Sequence, residues 1–426
     1  MLPRLSSFAV VVAAGAGCVG DKMVDVFTQE EFDRIQTLGP LGPVPPDPTN
    51  RYADDPAAAA LGQRLFFERR LSADGRVACA SCHDPARAFT DGRAVSVGVG
   101  GREGQRNAPT VINAGFNKTL FWDGRITTLE DQAVLPILNP SEMGQPSLDA
   151  AVAAIAGDRT YRQAFADTFG RAPNGADLAA AIAAYERTKT GFDSAFYAWI
   201  AGNPTAVSPA AQRGWTLFRG KGRCTQCHAL STGRPDTTFF MDHRFHNIGV
   251  GIERHNVVAL ACRARMRLDS GDVLAVDQAA IQSELSALGS FLVTKQGADI
   301  AAFRTPSLRN VAVTAPYFHD GSGRTLWDVV DHYNKGGMNN PWLDDDIRPL
   351  GLSETEIDDI VAFLGSLTSA PYRGAGDREL ARQHAIARTA RPERDVAAAF
   401  ARKPARPDPA MACAPRQTAA VGGPAR

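Results

Sequence analysis

The sequence predicts a mainly α fold built as two units related by internal duplication. Three observations carry that expectation. The string "CASCH" at residues 79–83 returns as "CTQCH" at 224–228. A longer stretch, "APTVINAGFNKTLFWDGRITTLEDQA" (108–133), lies over "TPSLRNVAVTAPYFHDGSGRTLWDVV" (305–330) at one constant offset of 197 positions. Around these segments apolar residues recur with the 3.6-residue period of helices, Gly and Pro punctuate the rest, and no sustained period-two run occurs.

At 426 residues the chain is long enough for two domains of ordinary size. Lys+Arg and Asp+Glu both count 46, so no global field favours nucleic acid or an acidic membrane surface. The opening "MLPRLSSFAVVVAAGAGCVG" (1–20) has an early Arg4, an apolar run and small residues, the pattern of an export signal. That run is shorter than the roughly 20 apolar residues of a spanning helix. The small residues before Cys18 also resemble a lipoprotein cleavage box, so a plain cleaved signal and a lipid anchor on Cys18 both stay open. Either predicts a periplasmic protein.

Helical patterns precede each repeated string: "PAAAALGQRLFFERRLS" before the first and "SPAAQRGWTLFRGKG" before the second. "LDAAVAAIAG" and "ADLAAAIAAYERTKTGF" show the same period, and "SETEIDDIVAFLGSLT" (353–368) reads as a closing amphipathic helix with Ser353 and Glu356 as its capping box. The expected boundaries are 45–200 for the first domain and 205–370 for the second. Residues 371–426, rich in Arg, Ala and Pro, read as a loosely ordered tail, with a partner-binding arm as the sharper alternative.

Two thiols three apart, followed at once by an imidazole, suit addition across two vinyl groups with the histidine on the iron; CxxCH is the attachment signature of c-type haem. Structural zinc more often uses four thiolates or a distant His pair, and a redox CxxC more often lies in a βαβ setting. Cys79, Cys82, Cys224 and Cys227 are therefore expected thioether anchors, with His83 and His228 as proximal ligands. The expected fold becomes two cytochrome-c-like domains, one c-type haem each. Of seven cysteines this leaves Cys18 in the signal and Cys262 and Cys413 as a candidate disulfide pair.

Within the repeat, Pro109 meets Pro306, Asn113 meets Asn310, Phe121 meets Phe318, and Thr128-Leu129 meets Thr325-Leu326. The CxxCH strings are only 145 apart, so the second unit carries 52 additional residues before the shared segment, including "FFMDHRFHNIGVGIERHN" and Cys262. Carried forward, the offset sets Tyr333 against Pro136. Proline cannot ligate iron, so the second haem has a candidate distal ligand where the first has none. Met338, five residues on, is the rival. Near Pro136 lie Gln132 and Glu142, a hydrogen-bond donor and a carboxylate suited to moving a proton between the oxygens of peroxide. Taken singly, a loop Glu is usually solvated, a helix Gln usually a surface amide, and a Trp such as Trp122 usually core. Between two haems Trp122 is an electron relay. His246 and His319 stand out among the other histidines, as haem-propionate partners or as core polar groups.

The strings "CASCH", "RNAPT", "FWDGR", "LEDQA", "NPSEMG", "CTQCH", "TPSLRNV" and "APYFHDGS" make residues 50–370 similar to the bacterial di-haem cytochrome c peroxidase family, and to its MauG-like branch. The resemblance implies a peroxidatic first haem, an electron-transfer second haem, Trp122 between them, and Gln132, Pro136 and Glu142 in the peroxide pocket. It also implies a calcium ion held by Asn107 and the carbonyls of Thr314 and Pro316, oxygen ligands fit for a hard cation. Two departures matter. Where ordinary members carry a histidine that blocks the first iron until the second is reduced, "SVGVGG" offers Val99. Where they place Met on the second iron, this chain has Tyr333, which favours ferric iron and a low potential. Gly222 stands where the MauG-like route to a partner protein has a Trp.

The leading expectation is a periplasmic peroxidase that reduces hydrogen peroxide to water with electrons from a cytochrome c or cupredoxin, through the second haem and Trp122. The alternative uses peroxide to oxidise residues of a partner protein through a high-valent di-haem state. A different class, a non-enzymatic di-haem electron carrier, would ligate both irons firmly.

Overall fold

The computed structural model describes residues 43–230, 239–268 and 271–389. The expected export signal, Cys18, Cys413 and the tail beyond 389 lie outside the described residues. No helix among the described residues is long and apolar enough to cross a membrane.

Helices dominate, and the one regular sheet among the described residues is a two-residue pairing of β1 (Phe245–His246) with β2 (Phe303–Arg304). The first unit contains α1 (Pro56–Phe66), α2 (Leu129–Leu138), α3 (Leu148–Ala156), α4 (Arg159–Phe169) and α5 (Gly175–Arg187). The chain continues through α6 (Ala195–Ile200) and α7 (Pro209–Arg219), then α8 (Val257–Arg267) and α9 (Val273–Gln282) in the additional segment. It closes with α10 (Leu326–Asn334), α11 (Glu354–Ser366) and α12 (Arg373–Thr389).

Each unit is organised around one close helix crossing. In the first, α1 starts on a Pro at its first position with the Asp55 carboxylate accepting from Ala57 N and Ala58 N, and buries Ala58, Leu61, Leu65 and Phe66. It meets Leu178, Ala181, Ile182 and Tyr185 of α5 in one core cluster. The contact needs a residue without Cβ: a Cβ on Gly62 would lie 1.8 Å from the Ala181 carbonyl oxygen. In the second, α7 crosses α11, and a Cβ on Gly214 would lie 1.9 Å from the Asp359 carbonyl oxygen. The predicted Ser353–Glu356 capping box of α11 is present. Trp215, Phe218, Ile357, Ile360 and Phe363 fill that core, each contributing roughly 1.5–3 kcal/mol by leaving water.

The duplication extends to the backbone. Asn113 and Asn310 have φ of 65° and 61°, Phe121 and Phe318 of 61° and 69°, and Gly124 and Gly321 of 73° and 66°. For a phenylalanine a positive φ is rare, so its recurrence at matched positions marks one turn used twice. Each turn closes on an isolated bridge, Leu120 with Ile126 and Tyr317 with Gly323.

The additional segment packs its own core of Leu260, Ala264, Val276, Phe291 and Leu292 against Trp342. Cys262 on α8 is buried and disulfide-bonded. One expectation is corrected. Residues 373–389, read as the start of a loose tail, form α12, whose Gln383 is 3% exposed. Its Oε1 accepts from Leu326 N at 2.7 Å, capping α10, and its Nε2 donates to the Tyr317 hydroxyl at 2.9 Å. The apolar anchor Leu380 packs on the second core, so docking, not intrinsic propensity, holds this helix.

Candidate active site

Two cavities sit side by side, one per unit. Cys79, Cys82 and His83 line the first; Cys224, Cys227 and His228 line the second. The motif histidines are oriented alike. His83 Nδ1 donates to the Phe89 carbonyl (3.1 Å) and His228 Nδ1 to the Phe240 carbonyl (2.7 Å). That bond leaves Nε2 as the lone-pair nitrogen facing the cavity. Burial lowers the proton affinity of both rings, His228 to about 4, which keeps them neutral and able to coordinate. A mainly apolar cavity lined by two thiols and one imidazole fits a thioether-linked haem.

The first cavity is also lined by Gln132 and Pro136 of α2 and by Glu142 of the following loop. Thr128 caps α2 through Asp131 N. Asn139 then shapes the "NPSEMG" loop: its carbonyl accepts from Glu142 N (3.0 Å) and Gly144 N (2.9 Å), and its Oδ1 from Ser141 N (3.0 Å). Glu142 Oε2 is buried without a hydrogen-bond partner. Burial, helped by the negative charge of Asp277 and opposed by Arg125, pushes this carboxyl up to about 8. The group therefore holds a proton at neutral pH, as a proton donor must.

Val99 is 5% exposed and packs in the core, its N–H bonded to the Glu142 carbonyl at 2.8 Å. Among the described residues, His83 is the one histidine lining this cavity. Met143 also lines the cavity and is packed into the first core.

Tyr333 of α10 lines the second cavity together with His228 and His246. Burial raises the phenol's affinity for its proton, so ionisation requires a positive centre. Met338, the rival, is 43% exposed and is not among the residues of that cavity. His246 donates to Asp344 Oδ2 (2.6 Å) and Asp242 Oδ2 (2.8 Å). Burial opposes its charge, yet the two carboxylates push the imidazole up to about 12, which makes it a fixed cation at the cavity wall. His319 also lines the cavity, stacked on Phe303 at 3.5 Å and buried, with its proton affinity lowered to about 3 by burial.

The wall between the cavities is shared. Asn107, Trp122 and Arg304 border both. Trp122 Nε1 donates to the Asn107 carbonyl (2.9 Å) and the Trp122 carbonyl accepts from Arg304 N (2.8 Å), so both the indole and the backbone of this residue are tied. Asn107 Nδ2 donates to the Arg93 carbonyl (2.8 Å), which turns its amide oxygen the other way. Thr314 and Pro316 line the second cavity, which Asn107 also borders.

The structure adds residues that the sequence did not single out. Glu186 of α5 is 6% exposed in the first cavity, and burial first, then Glu130, raises its carboxyl to about 8. The signal was available: it is a charge on the apolar face of "LAAAIAAYER". Arg125 and Arg106 lie in or beside quoted motifs and join Asp123 and Asp277 in a buried charge network. Asp277 lies in the additional segment, where no motif points to it.

Residues 56–205 match the family model described as di-haem cytochrome c peroxidase. The chain is 37% identical over 346 residues to the cytochrome-c peroxidase IdrP1 of Denitromonas iodatirespirans, covering 77% of this chain and 86% of the relative. It is 36% identical over 318 residues to the methylamine utilization protein MauG of Methylorubrum extorquens, covering 74% and 79% respectively. Among solved structures, a MauG-like protein associated with microbial copper homeostasis superposes with a TM-score of 0.63 at 32% identity, covering 78% of this chain and 94% of that one. The di-haem peroxidase BthA of Burkholderia thailandensis gives 0.60 at 29% identity, covering 79% and 92%. The duplicated CxxCH cavities and these relatives agree: the chain belongs to the di-haem cytochrome c peroxidase family, carries two c-type haems and is a peroxidase.

Proposed function

We propose that the chain reduces hydrogen peroxide to water at the first cavity, with Glu142 as proton carrier and Trp122 as the electron link to the second. The observation that carries this reading is the buried Glu142 Oε2, without a hydrogen-bond partner, in a cavity that Gln132 and Pro136 also line and in which His83 is the one histidine among the described residues. Cys79, Cys82 and His83 would hold the first haem, which would supply the iron chemistry for cleaving the O–O bond with two electrons. Two protons must accompany them, because both oxygens leave as water. Glu142 gives its proton to the departing oxygen and regains one from solvent, while the Gln132 amide holds the peroxide in place by hydrogen bonding. Trp122 borders both cavities and passes electrons between them. The partner on the outer side is a small protein donor, a cytochrome c or cupredoxin.

Tyr333 favours a second reading, oxidation of residues on a partner protein, because a phenolate on the second iron stabilises oxidised states. Gly222 lines the second cavity where that route would need an aromatic residue, which leaves simple peroxide removal ahead. Asn107 Oδ1 with the carbonyls of Thr314 and Pro316 is proposed to hold calcium in the shared wall; these are hard oxygen donors on segments that the fold brings together. The composition of residues 1–20 supports delivery to the periplasm, with or without a lipid on Cys18.

The test mixes peroxide with the purified diferric protein. A high-spin signal from the first haem and reaction without prior reduction are expected, since Val99 replaces the gating histidine. A resting protein that is wholly low-spin and inert until half-reduced would overturn the open first cavity.

A further inference from the structure

Helix α9 belongs to the additional segment of the second unit, yet one of its side chains ends beside the first cavity. Asp277 is 1% exposed. Its Oδ1 accepts from Arg125 Nε (3.1 Å) and Nη2 (2.6 Å), and its Oδ2 accepts from Asn139 Nδ2 (2.5 Å). From the other side Arg125 Nη1 donates to both oxygens of Asp123 (2.9 Å each). Asp123 also takes Arg106 Nη1 (2.8 Å), and Arg106 is anchored on Ser286 Oγ (3.0 Å) and its carbonyl (2.9 Å), again in the additional segment. Two cations and two anions thus balance in a buried cluster.

Both contacts of Asp277 lead to Glu142. Asn139 carries the "NPSEMG" loop on its carbonyl and amide oxygen, and Gln282 Nε2 of α9 adds a bond to that amide oxygen at 3.2 Å. Arg125 lines the first cavity with Glu142, and Ile281 of α9 closes the same wall. The charged and titratable groups around Glu142 can be named element by element. Arg125 follows the "FWD" turn, Asp277 comes from α9, Glu186 from α5, and Cys79 and Cys82 from the haem motif. On the Val99 loop Arg102 spends Nη1 on the Pro140 carbonyl (2.8 Å). Arg106 and Arg304 line the same cavity, but Arg106 is spent on Asp123 and Ser286 and Arg304 on Asn117 Oδ1 (3.3 Å) and the Phe121 carbonyl (3.4 Å). Arg125 is the cation acting on the Glu142 carboxyl, and Asp277 is the anion that offsets it.

We propose that Asp277 is a positioning residue of the peroxide site: it fixes the Glu142 loop through Asn139 and cancels the Arg125 charge beside the Glu142 carboxyl. The inference rests on the assignment of Glu142 as proton carrier. An uncompensated guanidinium within a few ångströms favours the carboxylate and lowers its pKa by about 1–3 units, and a buried pair that loses one partner leaves the other charge exposed to its surroundings without solvent. The additional segment of the second unit thereby helps set the protonation of the first unit's site.

Two readouts test this on the full haem-loaded protein. One is the pH profile of the reaction with hydrogen peroxide. The other is the infrared carbonyl band of a protonated carboxylic acid in the resting protein, assigned to Glu142 by its loss in Glu142→Gln. In Asp277→Asn the band is expected to fall to half or less at pH 7, and the limb of the profile on which rate falls with rising pH should move down by at least one unit, a loss of about twofold or more in rate at pH 7 and about tenfold at pH 9. The double variant Arg125→Gln/Asp277→Asn removes both charges and should restore band and limb. If Asp277→Asn does not fold, the double variant alone decides: a displaced limb in it overturns charge cancellation. An unmoved band and limb in a folded Asp277→Asn also overturn the inference. An unchanged rate in Glu142→Gln sinks instead the prior assignment of Glu142.

Discussion

At position 136 the first unit presents a proline to its cavity, and at the matching position 333 the second presents a phenol. Almost everything that places these two residues is the same: matched N-caps Thr128 and Thr325, matched positive-φ phenylalanines, and matched histidine-to-carbonyl bonds. The surroundings differ as well. Two carboxyls, Glu142 and Glu186, are held protonated around the first cavity, whereas a doubly paired His246 is held charged at the second. One scaffold supplies the same haem seat twice, and a few side chains set what each cavity presents: a proline and two carboxyls at the first, a phenol and a charged imidazole at the second.

The largest effect should come from breaking the difference at Tyr333. Tyr333→Phe removes the only oxygen at that position, so the low-spin signature of the second haem should be lost entirely, while Met338→Ala leaves it as it was. Electron paramagnetic resonance of the two variants decides. A spectrum that responds to Met338 and ignores Tyr333 would reassign the ligand.

Next is the acid pocket. Glu142→Gln keeps the side chain's volume but cannot release a proton, and peroxide cleavage should slow by about 100-fold or more with both haems intact. In the native protein the same rate should fall as pH rises through about 8, where the Glu142 carboxyl ionises. Stopped-flow measurements across pH 6–9, an interval chosen to bracket that value, would show a flat profile if another group carries the proton.

The shared scaffold can be tested for equivalence. Gly62→Ala and Gly214→Ala each drive a methyl group into a facing carbonyl oxygen, at 1.8 Å and 1.9 Å before relaxation. Each should cost about 3 kcal/mol, the upper end for overpacking, because backbone on the far side yields less than a side chain. Equal losses in chemical denaturation would support one crossing used twice; a benign substitution in either unit would show that its helices are free to part.

Much of this was legible in the sequence because it is local or repeated. Cys79–His83 and Cys224–His228 name their chemistry in five residues, Ser353 and Glu356 announce a helix start, and the offset that pairs Tyr333 with Pro136 needs only counting. What escaped depends on contacts between distant segments. Asp277 sits in a helix with no motif, and its partners Arg125 and Asn139 are more than a hundred positions away. The helix α12 looked like a tail because its surface is Arg-rich, and the few residues that dock it, Leu380 and Gln383, leave no periodic trace. Glu186 was read through as part of a helical pattern, although a carboxylate on an apolar face is the one position where the pattern fails.

That failure yields the smallest prediction, on stability. Burial raises Glu186 from an ordinary carboxyl to about 8 in the folded protein. Below pH about 4.5 the group is protonated in both folded and unfolded chains and costs nothing. Between there and pH 8 the unfolded chain releases its proton while the folded one retains it, so stability falls as pH rises. His246 has the same sign in a higher window: its imidazolium, raised to about 12 with Asp242 and Asp344 as partners, stabilises the fold fully below its unfolded value of 6.5, and that contribution is lost as pH climbs from there toward 12. Glu186→Gln keeps the shape and cannot ionise, so it should remove part of the decline around the first cavity, on the order of 1–2 kcal/mol at pH 7 relative to pH 5. Asp344→Asn should instead weaken the second unit at both pH values. Thermal unfolding of the two variants at pH 5 and pH 7 separates the cases. If Glu186→Gln follows the parent's pH dependence unchanged, that carboxyl is solvated in the haem-loaded protein, and the contrast between an acid-lined first cavity and a cation-lined second rests on Glu142 alone.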